Sequence, residues 1–582
     1  MPHGLKISIG QHSDKGAKET NQDFHGAVIP NEPALGLKGI AVALADGISS
    51  SEVSRIAAES AVKSFLADYY CTSDSWSTKT SATRVIAATN SWLHGQTRRG
   101  RHGDEPDRGL DPDRGYVCTF SVLVAKSRTA YLFHIGDSRI YRKVGGSLEQ
   151  LTEDHRVVLS SQETYLGRAL GVNPQVEIDY RTIELEAGDV FVLATDGVYE
   201  HVEARAIARS IEDGRDDLDV AAAKIVQQAF EQGSRDNLTI QIVRVDALPD
   251  GEAAEVLAES TALPLPPLLE PRQDFDGYRI VRPLHASSRS HIYLAVDSAD
   301  ESLVALKIPS LDLRGDPAYL RRFMMEEWVA RRLDNVHVLR PHRHQRKRGY
   351  LYLVTEHVDG TTLAQWMTDN PRPDLDTMRG IVEQIARGLQ AFHRKEMLHQ
   401  DLRPENVMID RTGTAKIIDF GSTKVSGIAE AAPAAEADAV LGTFQYTAPE
   451  YFLGEGGTTR SDIFSLGVIA YQMIAGQLPY GAQMAQARTR TQQRKVTYRP
   501  ILDDKHPVPA WVDGALRKAV HPDPAERYGE LSEFLYDLRH PNQDLVESNP
   551  RPLIERNPLL FWKGLCTLLA AIVLLQLALR YG

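Results

Sequence analysis

Apolar positions follow three patterns along the chain. In the first 245 residues they gather in short runs rich in Val, Ile and Ala, such as "IAVAL", "VFVLA" and "LTIQIVRV", with the length and β-branched content of buried or half-buried strands. Four such runs lead into, or closely follow, an aspartate in a turn: "GIAVALADGISS", "TAYLFHIGDSRIY", "DVFVLATDGVYE" and "GSRDNLTIQIVRV". The pattern lapses between Asp246 and Asp274, where "ALPDGEAAEVLAESTALPLPPLLEPRQD" has no sustained alternation and too many prolines for a long helix, as a linker would. A second lapse, "HPNQDLVESNPRPLIERNP", begins at His540. From Leu559 to Leu579, "LLFWKGLCTLLAAIVLLQLAL" is apolar on every face. At ~1.5 Å per residue it predicts a helix able to cross a hydrocarbon core of roughly 30 Å, a buried terminal helix being the alternative.

Arg551, Arg556 and Lys563 precede most of that run and Arg580 follows it. The excess of positive charge on one side predicts a single-pass tail anchor in the cytoplasmic membrane, with everything before residue 559 in the cytoplasm. A length of 582 residues is too great for one core. The lapses divide it into residues 1–246, a linker 247–276, residues 277–540, a juxtamembrane linker 541–558 and the anchor 559–579. The net charge of -12 argues against a nucleic-acid partner. Cys71, Cys118 and Cys566 are widely separated, which indicates neither a disulfide framework nor a zinc site. The amino terminus, "MPHGLKISIGQHSDKG", lacks the basic and apolar regions of a secretion signal.

Aspartates at the ends of adjacent strands can converge on one point, where they repel one another unless a cation lies between them. Ligands that are all oxygen favour hard ions such as Mg2+ or Mn2+. The Asp-Gly pairs at Asp213, Asp250, Asp276, Asp359 and Asp513 are assigned to plain turns. In order along the chain, "SDKGAKETNQD", "ADGISS", "GDSRIY", "LTEDH", "RALG", "ATDGVYE" and "RDNLTI" resemble the segments of metal-dependent protein phosphatases of type 2C, over about residues 5–245. The resemblance implies an α/β/β/α sandwich holding two or three Mg2+ or Mn2+ ions. Asp46 would bridge two ions beside the Gly47 carbonyl, Asp196 and Asp236 would complete the first site, and Asp137 would hold a third ion. Hydrolysis of a phosphate ester would then need no protein nucleophile. His155 of "LTEDH" is assigned to the fold. The pattern departs at Lys18, where a phosphate-gripping Arg is usual, at Gln22, where an acidic residue is expected, and at "DGISS", which replaces a glycine-rich turn.

From Tyr278 to about Leu538 the chain resembles the eukaryotic-type Ser/Thr protein kinases of bacteria. The resemblance rests on "VALKIP", "RRFMMEEWVARRL", "YLVTEHVDG", "LHQDLRPEN", "KIIDFG", "GTFQYTAPE" and "SDIFSLGVIAYQMIAGQLPY". It implies a bilobal fold that uses ATP and Mg2+. Lys307 would bind the nucleotide phosphates and pair with Glu326, while Glu356 and Val358 would form the adenine hinge. Asp419 and Asn406 would hold Mg2+, Asp401 would take the proton of the incoming hydroxyl, and Arg403 would face the transferred phosphate in place of a lysine. Glu450 and Arg527 are expected to form a structural ion pair.

The loop expected over the phosphates, "LHASSRSHIY", has His285, Ser287 and Ser290 where glycines are usual, and the two serines can offer N–H and hydroxyl donors to ATP. Gln400 stands where an Arg clamps a phosphorylated activation loop, which predicts activation without loop phosphorylation. The whole is a multidomain α+β chain. Its leading reading is a membrane-anchored bifunctional kinase and phosphatase, acting on proteins that carry Ser/Thr or phospho-Ser/Thr, its own kinase domain among them. The alternatives are a silent ATP-sensing kinase module that regulates the phosphatase, or an inactive phosphatase-like sensor attached to a live kinase.

Overall fold

The computed structural model describes residues 4–99, 115–160, 163–249, 263–287, 289–313, 316–342, 346, 348–430, 445–501, 508–547 and 561–569. The chain divides into two compact units, the first built chiefly on Met1–Pro264 and the second chiefly on residues from Leu265 onward.

Two five-stranded antiparallel sheets form the centre of the first unit. One contains β1 (Lys6–Asp14), β6 (Arg139–Val144), β7 (Ser147–Gln150), β11 (Val190–Ala194) and β12 (Leu238–Ala247), in the order β1-β12-β11-β6-β7. The other contains β2 (Asp23–Val28), β3 (Ile40–Asp46), β4 (Phe120–Lys126), β5 (Thr129–Ile135) and β10 (Asp179–Glu184), in the order β10-β5-β4-β3-β2. A small hairpin, β8 (Arg156–Ser160) and β9 (Glu163–Leu166), stands apart from both sheets.

Alternation within β3 explains the layering, because successive side chains point to opposite faces of a sheet. Ile40, Val42 and Leu44 join Leu123 and Leu132 against Phe191, Leu193 and Val243 of the other sheet. The small Ala41, Ala43 and Ala45 face outward, where α1 (Ser54–Cys71) and α2 (Thr78–Arg99) pack through Ala57, Ala61, Phe65, Ala82 and Ile86. On the far side, Val190, Val192, Ile240 and Ile242 meet Ile207 and Ile211 of α4 (Ala204–Asp213) and Ala221, Ala222 and Ile225 of α5 (Leu218–Glu231). The four layers are helix, sheet, sheet, helix, as the resemblance to type 2C phosphatases implies.

The second unit opens with an antiparallel sheet in chain order: β13 (Asp274–Phe275), β14 (Tyr278–Ala286), β15 (Ser290–Asp297), β16 (Leu303–Pro309) and β17 (Leu353–Glu356). Val304, Leu306 and Ile308 of β16 enter its core, which the same alternation denies to Lys307. Leu269 and Phe275, within the stretch expected to be linker, pack into that core as well. Helix α6 (Pro317–Ala330) is capped by Asp316, whose carboxylate accepts the Tyr319 N–H at 3.0 Å. Further along lie α7 (Leu375–Arg394) and α8 (Thr459–Ala475). A capping box at Thr458 and Ser461 starts α8, Gly476 ends it in the left-handed region, and its residues are buried nearly all round, as in a core helix. Arg527 meets Glu450 in a buried fork, Nη1 to Oε1 at 2.9 Å and Nη2 to Oε2 at 2.8 Å.

The expected membrane anchor is corrected. Residues 561–569 form a helical run about 14 Å long at ~1.5 Å per residue, roughly half a hydrocarbon core. Leu559, Leu560 and residues 570–579 lie outside the described residues. No helix among the described residues is long and apolar enough to cross a membrane, so neither the transmembrane helix nor the cytoplasmic-membrane location stands.

Removing one partner of the Glu450–Arg527 fork leaves a buried charge uncompensated. Glu450→Ala is expected to destabilise the second unit by about 3–5 kcal/mol. Urea unfolding followed by fluorescence, compared with the parent chain, measures the loss.

Candidate active sites

In the first unit the expected residues gather at strand ends. Asp46 closes β3 and lies directly opposite Asp23, the first residue of β2. Asp196 opens the short helix α3 (Asp196–Tyr199) just beyond β11, and Asp236 precedes β12. Asp137 lies in the turn between β5 and β6. Gly47 adjoins Asp46, its N–H held by the Gln22 carbonyl at 3.2 Å, and a Cβ there would meet Ser54 backbone atoms at 2.8 Å. Only glycine lets α1 approach so closely.

Burial and mutual repulsion disfavour charge on Asp23, Asp46 and Asp196. Removal from water pushes Asp23 up to about 6. It pushes Asp196 up to about 7, with Asp137, Asp236 and Glu200 adding to the effect. Asp46 is raised well above the carboxylate range by burial, Asp23, Asp196 and Asp137. Asp23 Oδ2 accepts from the Thr195 hydroxyl at 3.0 Å, whereas its Oδ1 is buried with no hydrogen-bond partner. An all-oxygen set with crowded charge and an orphaned oxygen fits hard divalent cations.

Asp23 was not among the residues singled out from the sequence. Its signal was the residue pairing of β2 with β3, which appears only once the sheet is formed. Lys18 Nζ donates to Asp236 Oδ1 and, at 2.6 Å, to Ser49 Oγ of the "DGISS" turn. Gln22 Nε2 bonds the Ser51 carbonyl at 2.9 Å and Ser54 Oγ at 2.7 Å, so this residue ties the turn to α1. His155 Nδ1 accepts the Gly136 N–H at 3.0 Å and Nε2 meets Asp179 at 2.9 Å, which supports the turn carrying Asp137.

In the second unit, Lys307 of β16 reaches Glu326 of α6, Nζ lying 2.8 Å from Oε1 and 2.7 Å from Oε2. Burial works against the lysine's charge, but Glu326 and then Asp419 hold it above its ordinary range. Burial likewise opposes ionisation of Asp419, yet Lys307 and the Gly421 N–H, 3.0 Å from Oδ1, keep that carboxyl below its usual value. Asn406 Nδ2 donates to the Asp401 carbonyl at 2.8 Å and to Asp401 Oδ2 at 3.2 Å. Burial raises the Asp401 carboxyl to about 6, with Arg403 opposing. Arg403 itself lies 3.7 Å from Glu405. At the hinge, Glu356 ends β17 and accepts from Lys416 Nζ at 2.7 Å, and Val358 follows it, buried.

The glycine-free loop is a closed turn between β14 and β15. Ser287 Oγ accepts the Arg289 N–H at 3.3 Å and the Ser290 N–H at 3.1 Å, and donates to the Ser290 carbonyl at 3.1 Å. His285 is exposed on β14. The serines therefore spend hydrogen bonds on the turn itself.

Sequence reasoning missed Asp462 on α8. Fully buried, it accepts the His399 N–H at 3.0 Å and the Gln400 N–H at 3.1 Å, and meets His393 Nε2 at 2.9 Å. Gln400 has φ +65°, a left-handed backbone that costs free energy in a non-glycine residue. Asp462 thus holds the strained turn that aims Asp401. Within "SDIFSLG" its only signal was a charge on an otherwise apolar helix.

Residues 278–537 match the protein kinase domain model and residues 11–236 the protein phosphatase 2C model. The chain joins a type 2C phosphatase domain to a protein kinase domain. Serine/threonine-protein kinase PrkC of Bacillus subtilis is 28% identical over 270 residues, which is 45% of this chain and 40% of PrkC. The chain thus spans less than half the length of that relative. The Mycobacterium tuberculosis PknI kinase domain is 26% identical with a TM-score of 0.37, covering 47% of this chain and 99% of its own. The S. agalactiae serine/threonine phosphatase is 23% identical with a TM-score of 0.36, covering 41% and 100%.

Asp462→Asn removes the charge that fixes the Gln400 turn. Misplacing Asp401 by about 1 Å is expected to lower kinase kcat by up to about 100-fold, with a smaller change in KM for ATP, as steady-state kinetics would show.

Proposed function

We propose that the chain is a bifunctional enzyme of reversible phosphorylation: an ATP-dependent Ser/Thr protein kinase and a metal-dependent Ser/Thr phosphoprotein phosphatase. The closed Lys307–Glu326 pair, with Asp419 beside it, carries the kinase half, because phosphoryl transfer is chiefly positioning and charge stabilisation. Lys307 binds the α- and β-phosphates, and Glu356 and Val358 line the adenine. Asp419 and Asn406 hold Mg2+, which neutralises charge on the phosphates when bound. Asp401 receives the hydroxyl proton, and Arg403 places its charge towards the transferred group. Ser287 and Ser290 close the loop that covers the phosphates. Small, hydrogen-bonded serines keep the turn compact where the pattern uses glycine.

For the phosphatase half, the convergence of Asp23, Asp46 and Asp196 supports the reading. Asp46, the Gly47 carbonyl, Asp196 and Asp236 hold two Mg2+ or Mn2+ ions. Ions bound there would supply the Lewis-acid chemistry that lowers the pKa of water for in-line attack on a phosphate ester. Lys18 leaves Asp236 to grip the phosphate, as a point charge and not as a fork. Substrates are proteins bearing Ser/Thr or its phosphoester. The chain's own kinase domain is one of them, since tethering raises the effective concentration of each domain near the other.

The test uses the full chain carrying Asp196→Asn, with Mg2+ and radiolabelled ATP, beside the same chain with Asp419→Asn added. Label is expected only where Asp419 is intact, with a loss of about 100-fold or more when it is changed. No label in either, despite nucleotide binding and added acceptor proteins, would overturn the kinase half in favour of a silent nucleotide-sensing module. Gln400 in place of the clamping Arg predicts a further result. Replacing Ser426 and Thr443 by Ala should leave kinase activity within about twofold of the parent in the same label-transfer assay; Thr443 lies outside the described residues.

A further inference from the structure

We propose that Arg156 is the built-in cation of the Asp137 site: its guanidinium stands where the type 2C pattern expects a third metal ion, so the phosphatase domain binds two ions and not three. The inference rests on the two-ion reading above and concerns a residue to which that reading gives no role.

Arg156 is the first residue of β8, directly after "LTEDH". Its Nε donates to Asp137 Oδ2 at 2.7 Å and its Nη1 to Glu200 Oε1 at 2.7 Å. Nη2 reaches Asp196 Oδ2 and the Tyr199 hydroxyl, each at 3.2 Å. The Tyr199 hydroxyl in turn donates to the Asp137 carbonyl at 2.8 Å, which locks the turn to the helix that begins at Asp196. One planar fork therefore answers three carboxylates brought from two separate parts of the chain: the turn before β6, and α3 with the residue that follows it. A guanidinium suits this arrangement because its donors are fixed in one plane and its charge persists at any working pH.

A hard divalent ion at Asp137 would have to share, at a ligand distance near 2 Å, the carboxylate whose Oδ2 accepts Arg156 Nε. The guanidinium would then face the ion across a single carboxylate, and the two positive charges would repel. Among the described residues, the ion pairs of Arg156 are with Asp137, Asp196 and Glu200, and include neither Asp46 nor Asp236. The Asp46 and Asp236 carboxylates of the expected ion pair are thus clear of Arg156, which reaches that site at Asp196 Oδ2 alone, while the third position is filled by the chain. A covalently attached charge does not dissociate, so this part of the site stays neutralised at any concentration of free metal.

The test counts Mn2+ by equilibrium dialysis of the full chain without nucleotide, with every protein carrying Asp419→Asn to remove the expected kinase ligand. The parent is expected to bind two ions. Arg156→Ser should bind three, Arg156→Lys two, and Asp137→Asn two with affinities within about twofold of the parent. Adding Asp137→Asn to Arg156→Ser should return the count to two. Three ions in the parent, one of them lost with Asp137→Asn, would overturn the proposal, as would a count of two for a folded Arg156→Ser. If circular dichroism shows Arg156→Ser to be unfolded, the parent and Asp137→Asn decide the matter alone. A parent that binds no Mn2+ would overturn the two-ion reading itself, and the inference with it.

Discussion

A carboxylate taken out of water must be given positive charge or hydrogen-bond donors, and both domains are arranged around how that demand is met. In the kinase domain the chain meets it internally. Glu326 has Lys307, Glu450 has Arg527, and Asp462 has His393 with two backbone N–H groups. In the phosphatase domain Asp23, Asp46 and Asp196 are turned towards one another instead, and each is driven towards its neutral form. The first solution yields fixed geometry. The second yields a demand for cations.

The scaffolds differ accordingly. In the phosphatase domain, large residues on one face of β3 lock the two sheets together, and alanines on the other let α1 and α2 come close. The strand ends are thereby held rigid enough to keep like charges together. In the kinase domain the rigid element is α8, buried nearly all round, from which Asp462 holds the His399–Gln400 turn in a backbone conformation it would not adopt alone. The loop between β14 and β15, lacking glycine, is instead a turn organised by the Ser287 hydroxyl, so flexibility has been exchanged for local hydrogen bonding.

Among the described residues, two side chains of the phosphatase domain bring positive charge to the strand-end carboxylates Asp137, Asp196 and Asp236. Lys18 rests on Asp236, and Arg156 spans Asp137, Asp196 and Glu200. Their chemistry differs in a way that matters. A lysine is a compact charge on a flexible stem and can move to a phosphate, whereas the arginine fork is held at several points and stays. One is suited to substrate, the other to the site's own repulsion.

The order of residues along the chain made the strands, the aspartate at each strand end and the ordered kinase segments legible, because alternation and motif spacing are local properties. Asp46, Asp196, Lys307 and Asp419 could all be named from it. Asp23, Arg156 and Asp462 could not, since each owes its role to charges distant in sequence: Asp23 to a strand partner, Arg156 to Asp137, Asp196 and Glu200, and Asp462 to backbone N–H groups some sixty residues earlier. The apolar tail shows the reverse error, for composition there suggested a span that the described helix, at residues 561–569, does not supply. Local pattern settles which residues can form a strand, a helix or a motif. Which charges meet, and so which carboxylates are neutralised by the chain and which are left for an ion, is decided only when the sheets and helices close on one another, because electrostatic energy depends on distance in space.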